Sequence, residues 1–433
     1  MSETRKTIGF AVLAVVLAAV AIFTTPRRAV PEEFADRGEP FFPGFTDPNL
    51  ATTLEVIEFD EATASARPFK VTFKNGLWTI PSHHDYPADG KDRLAQTAAG
   101  LIGLTKDDFR SSNVADYQAC GVIDPLDETA TSLRGRGKRV TIRDAEDRVL
   151  ADLIIGKQVE DRPDYRFVRV PDQKRIYITR TRLEVSTRFA DWIEPDLLQV
   201  DQGKIQKITV RDYSIDERFR TVEQRDTVVL TRRGDQWILN RMPAGQEVDV
   251  AKVNQMLRAL DDLAIAGVRP KPPGISADLK RREGSVALTE ANLLELQSRG
   301  YYFTVDGRLL SNEGEVECET SEGIRYTLRF GEVLFGRGEQ VSAGTEGPSE
   351  RESAEPNQAA SGPAENRYLF LTASFDPGLV PASGEDGGRK AREEGRAKAA
   401  ELNRRYADWY YVIPSSAFDQ LRVKRSDLLR KPS

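Results

Sequence analysis

The sequence is poor in the residues that most site chemistry needs. It holds two cysteines, two histidines, three methionines and four tryptophans in 433 residues. Zinc centres gather three or four convergent ligands, mostly Cys and His. His83-His84, with Asp85 and Asp89 nearby, falls short, because adjacent side chains in an extended segment point to opposite sides. That segment reads as an exposed loop. A charge field of one sign is also lacking: 62 Lys and Arg stand against 68 Asp and Glu, a net −6. Such a balance argues against a nucleic-acid partner. No phosphate loop, nucleophile elbow, dinucleotide fingerprint or calcium-loop spacing occurs, nor any Asn-x-Ser/Thr sequon. No catalytic, cofactor-binding or metal residue is therefore nominated, and the chain is expected to be non-enzymatic.

What is present is a globular balance of 39% hydrophobic and 30% charged residues, enough for two or three domains with real cores. One long apolar run exists. Ile8 to Phe23 carry no charge, and with the flanking threonines the run approaches the roughly 20 residues that cross a bilayer as a helix. Arg5 and Lys6 before it suit a short cytoplasmic tail, residues 1–7, although Arg27 and Arg28 weaken the orientation. A cleaved signal peptide using Ala19-Val20-Ala21 is the rival reading, and a buried core helix is the plainer one. The preferred expectation is an uncleaved anchor over 8–25, a proline- and acid-rich linker over 26–50, and a body outside the cytoplasm. In bacterial terms this means a single-pass protein of the inner membrane with its bulk on the periplasmic side. Cys120 and Cys318 lie 198 residues apart in unlike contexts, so a disulfide and two separate thiols both stay open.

The body repeats itself. Phe69, Val71, Trp78, Ile80, Leu94, Ala98, Leu101 and Leu104 recur, each 159 residues later, as Val228, Leu230, Trp237, Leu239, Val253, Leu257, Leu260 and Leu263. Period-two alternation through Phe69, Val71 and Phe73 predicts a strand. Asn75-Gly76 predicts a tight hairpin turn, since both positions accept positive φ. Trp78 and Ile80 return as the second strand, and Leu94, Ala98, Leu101 and Ile102 share one helix face. Alternating strands follow at Val140, Val149, Tyr165 and Ile176. Earlier matches, Leu54, Ile57 and Phe59 with Ile205, Ile208 and Val210, are spaced 151 residues apart, which implies a longer loop over Ser214 to Asp226 in the second copy; later matches, including Gly156 with Gly331, are spaced more widely and imply further insertions there.

The expected fold is therefore α+β: an N-terminal transmembrane helix, then two tandem strand–hairpin–helix–multi-strand copies over 51–200 and 201–433. Their antiparallel-rich sheets would carry helices on one face. Residues 337–366 lack apolar periodicity and read as a disordered loop. Residues 377–406 end in a charged, helix-prone stretch with Leu402, Tyr406 and Trp409 as a narrow apolar seam.

Trp78, Trp237, Leu101 and Leu260 are read as core of the repeat, because a recurring Trp after a hairpin more often buries its ring than offers it. Gly156 and Gly331 are read as turn residues at strand ends. The basic run Arg134, Arg136, Lys138 and Arg139 is a candidate contact for phosphate, lipid headgroup or acidic partner, against a plainer reading as a solvated hairpin entrance. Trp409 and Tyr410 are candidate contact rings, since Tyr301, Tyr302, Trp409, Tyr410 and Tyr411 would suit stacking on sugars.

Several segments together resemble the bacterial domain-of-unknown-function family 4340. They are VTFKNGLWTIP, KDRLAQTAAGLIGL, ACGVIDP, ADLIIGKQ and YRFVRVPDQKRIYIT, then VVLTRRGDQWILNR and GEVECETSEGIRYTLRFGEV. The resemblance implies an anchored extracytoplasmic component associated with ABC-type, gliding-motility-like transport systems, with permease, ATPase and auxiliary membrane proteins as partners. It carries no catalytic residues over. The expected function is thus an accessory subunit acting as a protein- or substrate-binding platform. The alternatives are an envelope polysaccharide or peptidoglycan binder and, lowest, an uncharacterised hydrolase.

Overall fold

The structure is a computed structural model that describes residues 13–17, 36–61, 64–216, 219, 221–281, 288–336, 338–344, 364–381 and 385–431. Nine strands form the first sheet: β1 (Thr53–Asp60), β2 (Ser65–Lys74), β3 (Leu77–Ile80), β4 (Tyr86–Pro87), β5 (Asp108–Ser111), β6 (Lys138–Arg143), β7 (Val149–Val159), β8 (Arg162–Arg169) and β9 (Ile176–Arg180). Their order is β4-β3-β2-β1-β6-β7-β8-β9-β5. Helix α1 (Lys91–Ile102) follows β4 in the chain.

The later elements repeat this plan. They are β10 (Ile205–Asp216), β11 (Thr221–Arg233), β12 (Gln236–Leu239), β13 (Glu247–Val248), helix α2 (Val250–Asp261) and β14 (Gly267–Pro270). After helix α3 (Glu290–Ser298) come β15 (Tyr301–Phe303), β16 (Leu309–Ser311), β17 (Glu315–Thr320), β18 (Ile324–Phe335) and β19 (Glu365–Phe375). Helix α4 (Glu385–Tyr406), β20 (Trp409–Pro414), α5 (Ser415–Leu421) and β21 (Leu429–Arg430) end the chain. The second sheet runs β12-β11-β10-β17-β18-β19-β20-β14. Read from β3, the first sheet has the same order, β3-β2-β1-β6-β7-β8-β9-β5, so each strand has a counterpart.

Compactness divides the chain into two units. The first draws on Met1–Ala51, Ile57–Phe59 and Gln96–Glu184; the second on Thr52–Val56, Asp60–Ala95 and Val185–Ser433. In the first, Cys120, Val122, Ile154 and Ile176 form a core cluster with Tyr117 and Phe167 packed on it. In the second, α3 and the β15–β16 hairpin supply Leu296, Tyr301 and Leu309 to a cluster closed by Phe370 and Tyr410.

The expected α+β class is corrected: the fold is mostly β, with large antiparallel sheets and with 40% strand and 26% helix among the described residues. The physical reason is strand length. Hydrogen-bonded ladders carry β10, β11 and β18 to 12 or 13 residues, well past the few positions whose alternation marks a strand. The supposed loop over Ser214 to Asp226 is mostly ladder of this kind, with Ser214 paired to Glu223 and Asp216 to Thr221. No described helix is long and apolar enough to cross a membrane, so the transmembrane element of the expected fold is not shown. Residues 8–12 and 18–25 of the expected anchor lie outside the described residues, as do 345–363 of the expected disordered insertion.

Local rules act as expected at the Asn75-Gly76 turn, where φ is +54° and +82° and the strands pair Phe73 with Trp78. Helix α2 starts where the Asp249 carboxylate accepts from the backbone N–H groups of Ala251 and Lys252, which fills two otherwise unpaired donors. Seven of the eight repeat pairs are buried in both copies, Leu101 and Leu260 completely. Trp78 and Trp237 are the corrected pair: both are half-buried. Each lies near a hairpin tip, where little remains to cover a ring; Ile80 and Leu239, two residues further in, are the buried ones.

Gly156 and Gly331 are likewise not turn residues. They sit inside β7 and β18, at register shifts between Ile155 and Gln158 and between Phe330 and Val333. A Cβ on Gly156 would meet the Cys120 carbonyl at 2.5 Å, and one on Gly331 the Arg299 carbonyl at 2.3 Å. Each glycine lets a crossing segment lie directly on a bulged strand.

Candidate functional site

The basic run folds inward. In the first unit Arg136 donates to the carbonyls of Asp124 (3.0 Å), Asp127 (2.9 Å) and Ala130 (3.0 Å), and its guanidinium covers the Phe59 ring at 4.3 Å. A planar, five-donor fork suits such a cluster of carbonyls. Arg139 donates to Asp152 (2.6 Å) and Asp124 (3.0 Å), and Lys138 pairs with Glu58 at 2.5 Å. The Asp152 hydrogen bond is the largest influence on Arg139 and holds its pKa above the ordinary value. Only Arg134 is exposed. Both readings of the run as a surface are thus corrected for Arg136 and Arg139, whose charges hold the 124–130 segment against the sheet.

The candidate rings are also largely internal. Tyr301, Tyr410 and Tyr411 are fully buried; consecutive strand residues face opposite ways, and β20 is buried at four successive positions, Tyr410 to Ile413, so both of its faces are covered. Trp409 is half-buried, its ring 5.0 Å from that of Tyr86 and edge-on to it.

The two histidines form the most organised polar site of the second unit. His83 is buried, contrary to its reading as part of an exposed loop. Its ring stacks flat on Phe189 at 4.3 Å. Nδ1 lies 2.9 Å from the Ser82 hydroxyl and Nε2 2.9 Å from the Ser342 hydroxyl. Burial, helped by the charges of His84 and Arg269, pushes its pKa down to about 4, so the ring is neutral near pH 7. His84 donates from Nε2 to the Ala343 carbonyl at 2.7 Å; a carbonyl only accepts, so that nitrogen carries the proton.

Arg269, also buried, donates to the carbonyls of Gln340 (2.7 Å) and Val341 (3.1 Å). Burial lowers its pKa to about 10. Gly267 permits the close approach, since a Cβ there would sit 2.0 Å from the Val341 carbonyl. Two imidazoles and a guanidinium therefore clamp residues 340–343. Nothing local marks this latch in the sequence: Ser342 lies 259 residues from His83 and inside a segment without periodicity.

Elsewhere in the second unit an open cleft of about 510 Å³ is lined by Asp196, Gln199, Val200, Asp201, Gln202 and Asp261. Its carboxylates are engaged internally. Asp196 accepts from the Gln199 N–H, Asp201 from that of Gly203, and Asp261 from the Gln202 amide at 2.6 Å. Among the described residues no group of three or more His, Cys, Asp or Glu is placed to hold a metal ion.

Apolar side chains do reach the surface at the β2–β3 tip, where Phe73 is 44% and Leu77 60% exposed. The Phe73 and Trp78 rings are 5.2 Å apart there.

Fold and site together define a duplicated, antiparallel β-sheet protein whose most elaborate polar clusters hold its own backbone. Residues 78–281 match the family model for a domain of unknown function, DUF4340, the family that the sequence resembles. The match runs from the first tryptophan hairpin into the second copy. No curated protein and no solved structure matches.

Proposed function

We propose that the chain is a non-enzymatic accessory subunit of an ABC-type, gliding-motility-like transport complex, working on the extracytoplasmic side of the membrane as a binding platform for a protein or an exported substrate. One observation carries the reading: two large sheets of one strand order, in which Arg136, Arg139, Arg269 and His83 act as internal clamps. A duplicated scaffold with these donors directed at its own carbonyls, carboxylates and hydroxyls is suited to presenting surfaces.

The polysaccharide alternative keeps only part of its motive: Tyr301, Tyr410 and Tyr411 are buried and offer no face to a sugar, while Tyr302 and Trp409 stay half-buried. The hydrolase reading has one geometric support, the Ser342 hydroxyl beside His83. A base enclosed by Phe189 and held near pKa 4 activates a hydroxyl poorly at neutral pH.

Purification of the native protein in mild detergent, with co-purifying proteins identified by mass spectrometry, tests the proposal. Recovery of a permease and an ATPase in fixed ratio is expected. A lone chain, unchanged after chemical crosslinking, would overturn it.

A further inference from the structure

We propose that the tip of the β2–β3 hairpin is a lipid-contact site that rests in the headgroup layer of an anionic bilayer. The argument starts from the register. Phe73 faces Trp78 across the hairpin, and Lys74 faces Leu77. Two residues further from the tip, Val71 and Ile80 are fully buried. Because side chains two apart share a face, the row that lines the core through Val71 and Ile80 continues outward as Phe73 and Trp78. The apolar row outlasts the core, and its end overhangs into solvent. On the opposite face Lys70 and Lys74 flank Thr72 and Leu77.

Charge selects the occupant. From Arg67 to Ile80 the chain holds three basic residues and no acid, within a protein of net charge −6. Arg67 is paired with Asp60; neither Lys70 nor Lys74 has an ion pair among the described residues. An aromatic pair, an aliphatic residue and unpaired lysines on a projecting turn suit a bilayer interface, where rings sit at headgroup depth and lysines meet anionic lipid. A protein partner fits less well: stable protein interfaces bury roughly 1,200–2,000 Å², and a tight turn offers little area. A fluid interface asks for no matching shape. The proposal stands apart from the transport reading, since the tip would meet lipid whether or not a permease is bound.

The test uses the full chain in vesicles, with an environment-sensitive fluorophore on Leu77→Cys. Cys120 and Cys318 are both buried, so the new thiol labels selectively. Val305→Cys, at the fully exposed Val305, provides the aqueous reference. In vesicles containing phosphatidylglycerol, the label at 77 should shift to the blue. Lipids spin-labelled near the headgroup should quench it about threefold more than the label at 305, and adding Lys74→Glu should remove most of that excess. Three results would each overturn the proposal. One is a label at 77 as aqueous as that at 305. Another is equal quenching in phosphatidylcholine alone. The third is a blue shift without lipid quenching, which means that protein covers the tip.

Discussion

His83 lies between two serine hydroxyls with its ring against Phe189, in surroundings that tolerate only the neutral imidazole. Its pKa falls from 6.5 to about 4 on folding, so between those values the unfolded chain binds the extra proton. Stability from this residue is full above pH 6.5 and declines as pH falls toward 4, by an amount on the order of 3 kcal/mol. Thermal unfolding of wild type and His83→Asn across this range checks it. Wild type should be the more stable at pH 7, and the gap should narrow as pH falls to 4. Parallel curves would show that protonation of His83 is not linked to folding.

Strands β7 and β18 occupy the same place in the two sheet orders, and each is bulged at a glycine over which another segment passes. The obstacle in both is a backbone carbonyl, which cannot swing aside as a side chain tip would. Alanine at Gly156 or Gly331 should therefore cost about 1–3 kcal/mol each, the usual penalty of overpacking. Chemical denaturation of the two variants measures it, with Gly44→Ala as the control, since nothing lies within 4 Å of a Cβ there. Losses no larger than that of the control would mean that the crossing segments move away freely.

At the scale of the molecule, Cys120 and Cys318 are free and buried, and burial pushes the Cys318 thiol up to about 12. Thiolate is the reactive form, so the native protein should be nearly inert to a thiol reagent. Two equivalents should react once it is unfolded in denaturant without reductant. Zero equivalents in denaturant would reveal a disulfide and a different arrangement of the chain. Sequence spacing left both states open, because pairing depends on whether the Cα atoms come within roughly 7 Å, which no linear distance reports.

The sequence by itself determined the duplication, the hairpins and the first helix of each copy. Those depend on short-range rules: period-two and period-3.6 burial and paired positive-φ residues at Asn75-Gly76. It also marked part of the core, since seven of the eight apolar pairs recurring at 159 residues are buried in both copies. What only the tertiary structure decided was the direction that polar and half-apolar side chains take. Arg136 turns inward because carbonyls from the 124–130 loop converge on it. Trp78 stays half-exposed because the core ends one residue pair before it, and His83 is buried because a segment 259 residues away closes over it. A side chain's fate follows from which distant backbone arrives beside it, and that information resides in the packed chain rather than in local pattern.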